Sequence, residues 1–503
     1  MFLMGLDIGT TGCKASVFTT SGSLVASASR EYNINIPHPT WAEQDAMQVW
    51  QLAQQTMQEA YLKSGAKEKI ISIGLSCQGE AVVPVDNGYQ PLRPVILGMD
   101  TRTDAQNEWL RQEFGNAALF QMTGMPIHTV NTLPKLLWIK EHEPEIWHKA
   151  SKFLLYEDFI IAQMTGKPAI SRCMASRTQL YDIHAEQWSP EILAAAGLTT
   201  ERLSKVFPSG SAIGTMLPGL ADKLGFRTTP VISTGGHDQA CGALGVGLTE
   251  PWLCMDSTGT AEVVEVALPA PSLSPELEQS DISVYAHVVP GMYLAMTLNH
   301  SGGMSLRWYR DQFCQQEIVE AGTSGHDPYD LIFKDVQPEP SSLFLMPHFS
   351  GSGTPKFDTR SKAVLAGMTY GTTRLEIARA MLEGLTFELR SNLEVLQNSS
   401  IHIQEMRAIG GGARSKYWLQ LKADITGIPV VVPRITEAAS WGAGILGGIA
   451  AGHFSNFQQA LASSLEFVSR YEPDPQRHQA FTERYNLYRE IYPAMQSILH
   501  RMG

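Results

Sequence analysis

The segment STGGHDQACGALGVG, residues 233–247, sets one carboxylate, Asp238, beside His237 among small residues. An apolar run at 229–234 precedes it and a small-residue helical run follows. Asp238 therefore stands where a strand gives way to a helix. Two readings share that position. A carboxylate there caps the helix N-terminus, or it is exposed at the carboxyl end of a strand, where α/β folds seat ligands. The two roles can coexist. His237 reads either as a side chain bonded to backbone or as a substrate contact.

Two further stretches carry chemistry of a matching kind. DIGTTGCK (7–14) and DSTGT (256–260) each follow an apolar run and turn through Gly and Thr into a second strand. Such a turn exposes consecutive backbone N–H groups, a concavity that binds anions and phosphate above all. The hydroxyls of Thr10, Thr11, Thr258 and Thr260 add donors, and Asp7 and Asp256 can hold Mg2+ directly or through water. Read singly, each is an ordinary hairpin turn; the recurrence argues otherwise. IGGGARS (409–415) joins a strand to a helix through three glycines, which let backbone approach a flat or charged ligand. It is neither a dinucleotide fingerprint nor a P-loop. Two phosphate-holding turns and an exposed carboxylate are parts that phosphoryl transfer asks for, since that chemistry depends chiefly on positioning and charge neutralisation.

The elements around these parts alternate. FLMGLDI (2–8), ASVFTT (15–20) and SLVASAS (23–29) read as strands joined by tight turns. Residues 69–86 read as two strands, 132–150 as helices broken by prolines, and 229–236 as a strand. In 372–397 the apolar residues fall at helical spacing, and Thr373 with Glu376 forms a capping box. Residues 405–433 read as strand, glycine turn, helix and strand. The glycine-bearing helix at 438–452 reads as one built for close packing. Because the strand–Asp–turn–strand pattern opens both halves, the chain reads as two related α/β domains, 1–247 and 248–503.

At 503 residues the chain is too long for one core. Its 44% hydrophobic and 17% charged residues are ordinary for a globular protein. Fifty acidic against 38 basic residues give a net charge of −12. That excess argues against a nucleic-acid partner and against a membrane-surface role. Six scattered cysteines without a C-x-x-C pair suggest neither a zinc knuckle nor a redox motif, and they suit a reducing compartment. The start, MFLMGLDIGTT, lacks a basic n-region, and the stretch 438–452 is too short to span a bilayer. A soluble cytoplasmic protein is expected.

These residues, in this order, resemble the FGGY carbohydrate kinases, among them xylulokinase, glycerol kinase and gluconate kinase, and the likeness runs nearly end to end. DIGTTGCK is similar to the family's first phosphate loop, DSTGT to its second, and GGGARS (410–415) to its adenosine-site loop. TLPKLLWIKEH (132–142) follows one family signature, departing only at the preceding Asn131, and AVLAGMTYGTTRLEIARAMLE (363–383) follows the other. PTWAEQDAMQVW (39–50) looks like a xylulokinase segment and ASRTQLYDIHAEQW (175–188) like one of glycerol kinase. The resemblance implies an α/β fold of two duplicated actin-like (ribonuclease-H-like) ATPase domains with an interdomain cleft. It assigns the sugar to the first domain and the nucleotide to the second, with ATP and Mg2+ as cofactors. It makes Asp238 the base and gives Asp7 to the metal. It sets Thr10, Thr11, Lys14, Thr258, Gly259 and Thr260 on the phosphates, and Gly411, Gly412 and Arg414 near adenosine. Gln78, Glu80, Asp100, Arg102, His237 and Asp238 are then expected on the sugar.

The substrate is less plainly written. In SCQGEAV (76–82) this chain has Gly79-Glu80, where glycerol kinases carry Arg-Glu and xylulokinases Met-His. In GMDTRT (98–103) Asp100 is expected to accept a sugar hydroxyl, braced by Arg102. Carboxylates suit neutral polyols and repel an acid unless a cation compensates. The expectation is an ATP-dependent kinase of a small neutral ketose or polyol, with a xylulose-like pentulose favoured. Gluconate or another sugar acid is the alternative, because GGHD wording also occurs in gluconate-kinase-like members. A catalytically silent sugar sensor and an actin-like, ATP-driven binding protein are the rival classes; Asp7, Asp238 and both Thr-rich turns argue against them. A homodimer is expected by analogy with relatives.

Overall fold

The run FLMGLDI is apolar at alternate and consecutive positions alike, and it forms a central strand, Phe2–Ile8, with Leu3, Met4, Leu6 and Ile8 fully enclosed. The computed structural model describes residues 1–65 and 69–502. Strand Phe2–Ile8 pairs antiparallel with Gly12–Thr19, which pairs with Leu24–Glu31. On its other side it pairs parallel with Ile70–Cys77, followed by Val231–Ser233 and Ala212–Thr215. The two-residue strand Gly236–His237 also lies along Ile70–Cys77.

The second half repeats this plan. Strand Leu253–Thr258 has Glu262–Leu268 antiparallel on one side and Glu405–Gly410 parallel on the other. Tyr293–Asn299 and Ser283–Ala286 extend one edge, Val430–Pro433 and Phe467–Tyr471 the other. Each sheet thus centres on a strand that carries an Asp and turns through Gly and Thr. The helix expected from 372–397 is Arg374–Asn398, and its capping box is present: the Glu376 N–H donates to Thr373 Oγ1 at 3.3 Å, and the Thr373 N–H to Glu376 Oε2 at 2.9 Å.

Helices Asp238–Gly245 and Ala438–Ala450 hold the two halves together. The second of them packs on strands Phe2–Ile8 and Ile70–Cys77 of the first sheet, and the two helices pack on each other. The approach is backbone to backbone. A Cβ on Gly74 would lie 1.8 Å from the Ala443 carbonyl oxygen, and one on Gly442 would lie 1.9 Å from that of Cys241. Gly442, Gly447 and Gly448 are therefore packing residues, whereas a Cβ at Gly452 would meet nothing within 4 Å. Trp441 on the same helix is fully enclosed, its ring 5.0 Å from that of Phe18. Among the described residues no helix is long and apolar enough to cross a membrane.

Candidate active site

Strand register joins the two glycine turns of the second half. Thr258 pairs with Gly410, so the turn at 258–260 lies against the turn at 410–412. Gly410 has φ +81, and a Cβ there would meet the Thr258 carbonyl oxygen at 2.4 Å, which reserves the position for glycine. The two turns line a cavity of about 360 Å³. Thr258, Gly259, Thr260, Gly411, Gly412 and Arg414, singled out from sequence, all line it. Arg307 and Arg310 of helix Gly303–Phe313 add cationic groups, and Tyr329 and Phe333 add aromatic surface. This cavity offers guanidinium groups to phosphates and flat aromatic surface to a base.

Beneath the turn lies a buried charge network. Lys422, 2% exposed, donates to Asp256, to Thr258 Oγ1 at 2.7 Å and to Glu262 Oε1 at 2.8 Å. Asn299 Nδ2 donates to Glu262 Oε2 at 2.9 Å. The expectation that Asp256 is free for a metal is corrected, because its carboxylate is fully enclosed and already has a cation. The Thr258 hydroxyl likewise faces this network.

In the first half, the Gly9 N–H donates to the Gly12 carbonyl at 2.9 Å and closes the turn. Its carbonyls are held from behind. Tyr32 Oη donates to Gly9 and Gly12, Gln44 Nε2 to Thr10 at 3.0 Å, and Gln78 Nε2 to Gly9 at 3.1 Å. Thr10 is half-buried and Thr11 exposed. Gln78, expected on the sugar, thus gives its amide donor to the phosphate-type turn. Lys14 has a different partner from the one expected: its Nζ lies 2.8 Å from Glu437 Oε2, across the two halves. Asp7 pairs in register with Lys14 and Ser76, and Ser76 Oγ donates to Asp7 Oδ1 at 2.6 Å. Burial pushes the Asp7 carboxyl above its ordinary range, only partly offset by the Ser76 hydrogen bond.

The sheet brings Asp238 to the same edge. Ser76 faces Asp7 on one side and Gly236 on the other, so Asp238 follows just past the strand end. The cap is displaced by one residue from expectation: His237 is the N-cap and Asp238 the first helical residue, its Oδ1 accepting from the Gln239 N–H at 2.6 Å. The turn before it is locked. The Gly235 N–H donates to Glu157 Oε1 at 2.6 Å, and Glu157 Oε2 accepts from the Ser171 N–H and hydroxyl, each at 2.9 Å. The Asp238 side chain is 30% exposed. Burial first, then the Asp7 and Glu80 charges, push its carboxyl up to about 7, while the Gln239 N–H and Arg177 pull the other way. His237 Nδ1 lies 3.4 Å from Asp238 Oδ1 and, among the described residues, has no hydrogen-bond partner, so the backbone-bonded reading finds no support at this nitrogen. Its ring meets Tyr285 edge-on at 5.7 Å, and burial holds the imidazole well below its ordinary pKa, hence neutral.

The remaining sugar candidates divide. Glu80 is near, since its charge acts on Asp238, and it pairs with Arg177. Asp100 and Arg102 are sealed instead. Asp100 is fully enclosed, and its two oxygens accept from the Ala42 N–H and from Arg102. The Arg102 guanidinium sits 3.8 Å from the Trp41 ring centroid and 4.7 Å from that of Trp138. Asp100 therefore has no oxygen left for a sugar, which corrects that expectation. Sequence reading missed Arg177, Glu157, Lys422, Arg307 and Arg310. Arg177 stood in the quoted ASRTQ run, and Glu157 in an acidic pair inside an apolar helix, Tyr156–Thr165, where an enclosed carboxylate always needs a partner.

Comparison with known proteins adds the family. The model of the FGGY family of carbohydrate kinases matches as its N-terminal domain over residues 2–245 and its C-terminal domain over 254–451. A xylulose kinase of Staphylococcus xylosus is 27% identical over 98% of this chain and 99% of its own length. An autoinducer-2 kinase of Escherichia coli K12 is 28% identical over 98% and 94%. A crystal structure described as a xyloylose kinase from Brucella ovis superposes with a TM-score of 0.89 at 28% identity, covering 99% of this chain and all of the other. The two repeated sheets are those of the actin-like two-domain fold, and membership of a kinase family implies ATP as phosphoryl donor. The chain belongs to the FGGY family of carbohydrate kinases and is an enzyme that phosphorylates an alcohol group of a sugar.

Proposed function

We propose that this chain transfers the γ-phosphate of ATP to a hydroxyl of a small neutral ketose or polyol, a xylulose-like pentulose foremost, with Asp238 as the base. The observation that carries this reading is the charge balance around Asp238: the three carboxylates of Asp7, Glu80 and Asp238 against the guanidinium of Arg177 and the Lys135 ammonium, which lies on the Glu80 carbonyl. Such a site welcomes hydroxyl donors and repels an anion, which sets gluconate and other sugar acids second. The names of the relatives, at 27–28% identity, bear on the class of substrate rather than on one sugar.

In this reading residues 1–247 supply the sugar side and 248–503 the nucleotide side. Thr10 and Thr11 face the phosphates from one half; Thr258, Gly259 and Thr260 face them from the other, with Gly411, Gly412 and Arg414 at the adenosine. Mg2+ fits Asp7. That carboxylate is half-buried, accepts from the Ser76 hydroxyl, and shares its register neighbour Lys14 with Glu437, so a divalent cation offsets what desolvation opposes. Among the described residues no cluster of three or more His, Cys, Asp or Glu could cage a metal. The ion would then be shared between Asp7, phosphate and water, the usual manner for magnesium, and when bound it neutralises charge on the transferring group. Asp238 orients the hydroxyl and accepts its proton as the bond to phosphorus forms; His237, neutral and beside it, contacts the sugar. The proposed setting is the cytoplasm and the proposed assembly a homodimer, which sedimentation tests.

An ATP-consumption assay over pentuloses, hexuloses, polyols and aldonates tests the reading. Turnover on a neutral ketose or polyol supports it. Turnover confined to aldonates makes the chain a sugar-acid kinase, and ATP binding with no sugar phosphorylated refutes the proposal altogether.

A further inference from the structure

With Gly79 in place of an arginine, the acceptor-site Glu80 has no cationic neighbour in sequence, yet its carboxylate is not alone. Arg177, just after helix Arg172–Ser176, donates from Nε to Glu80 Oε1 at 2.6 Å, and its Nη2 lies 2.5 Å from the same oxygen. Both side chains are nearly enclosed, 3% and 6% exposed. Glycine admits this arrangement: a Cβ at 79 would lie 2.8 Å from His237 Cδ2 and 3.9 Å from Arg177 Nε. The third donor, Nη1, crosses to the second half and donates to Ser283 Oγ at 3.0 Å, while the guanidinium lies 4.6 Å from the centroid of the Tyr285 ring.

Glu80 is fixed at its other end too. Its backbone has φ +61, and its carbonyl accepts from Thr132 Oγ1 at 3.0 Å and Lys135 Nζ at 3.3 Å. Among the described residues its Oε2 has no hydrogen-bond partner, and it is not one of the sealed-in orphan atoms. That oxygen lies toward Gly98, where the absence of a side chain leaves room.

We infer that Arg177 is the positioning residue of the sugar site: it holds Glu80 by one oxygen, leaves the other to receive a sugar hydroxyl, and ties that carboxylate to the second half of the molecule. The inference rests on the sugar-kinase reading above. A planar fork is needed for this, because one group must reach Glu80 and Ser283 together. A lysine supplies the charge at a single point and reaches one of them.

The test measures kcat and both KM values on whichever sugar the wild-type enzyme turns over, for Arg177→Met, Arg177→Lys, Glu80→Gln and the Arg177→Met/Glu80→Gln pair. Arg177→Met should raise the sugar KM by about 10- to 100-fold with the ATP KM within about threefold, and Arg177→Lys should recover part of the loss. Glu80→Gln should raise the sugar KM similarly, and the double variant should be little worse than either single one, because the two side chains act as a unit. A sugar KM indifferent to both Arg177 variants overturns the inference, as does full additivity in the double variant. If Arg177→Met fails to fold, Arg177→Lys against Glu80→Gln reads the same quantity: a raised sugar KM in both supports the inference, and one raised only in Glu80→Gln overturns it. A wild-type enzyme that turns over no sugar refutes the proposed function instead.

Discussion

Replacing Asp238 by Asn keeps the outline of the side chain and removes its capacity to take a proton. Burial and the neighbouring Asp7 and Glu80 carboxylates raise the Asp238 carboxyl from its ordinary 3.8 to about 7. A base with that pKa is half ionised near neutrality, so kcat/KM for the sugar should climb about tenfold per pH unit below about 7 and level off above it. In Asp238→Asn this limb disappears and kcat falls by about 10²- to 10⁴-fold, the usual worth of a general base, while ATP still binds. Stability moves the opposite way. A carboxyl raised by folding favours the fold in its protonated form; that contribution is complete below 3.8 and is lost as pH rises through about 7. For a sealed group the gap would be worth about 4 kcal/mol. Water at the 30% of the side chain still exposed brings it to about 1–2 kcal/mol. Asp238→Asn should therefore melt about 2–4 °C above wild type at about pH 8, with the difference shrinking toward about pH 5. A coupled ADP-release assay across that range, with thermal melts at both ends, reads all of this. Wild-type kcat in the variant, or an acid limb of the wild type near its unperturbed carboxyl value, would refute the reasoning.

Lys422→Met leaves Asp256 and Glu262 enclosed without their cation, so the urea midpoint should drop by the equivalent of about 3–5 kcal/mol, with a raised ATP KM because Thr258 loses its anchor; an unmoved midpoint speaks against the network. Gly74→Val drives a side chain into the Ala443 carbonyl and should destabilise by about 1–3 kcal/mol or more, whereas Gly219→Ala, where a Cβ meets nothing within 4 Å, should be nearly neutral; equal effects would contradict the packing argument. Small-angle scattering with sugar and a non-hydrolysable ATP analogue together should show a smaller radius of gyration as the halves close over the reactants, and an unchanged radius at saturation would deny closure.

The parts legible in the sequence are those whose structure is local. Gly and Thr at 258–260 and three glycines at 410–412 announce turns by residue type, and strand pairing alone brings Thr258 opposite Gly410, so the cavity that these turns line followed from its pieces. The duplicated strand–turn–strand plan was readable for the same reason. Long-range partners were not. An Asp in a strand announces that it needs a partner, but nothing in DSTGT says that Lys422 supplies it, nor anything in GEAV that Arg177 does. Asp100 and Arg102 show the converse. D-x-R reads alike whether the pair faces a ligand or lies between Trp41 and Trp138, and only tertiary packing chose the second. The one-residue displacement of the cap, from Asp238 to His237, is decided by backbone dihedrals that composition does not specify.

A crystal structure of the protein with the sugar it phosphorylates and a non-hydrolysable ATP analogue addresses the whole scheme at once. One sugar hydroxyl should stand about 2.6–3.2 Å from the Asp238 carboxylate, with the triphosphate along the backbone of 258–260 and its terminal group turned toward that hydroxyl. A sugar bound with no hydroxyl in reach of Asp238, or a triphosphate seated away from that turn, would contradict it.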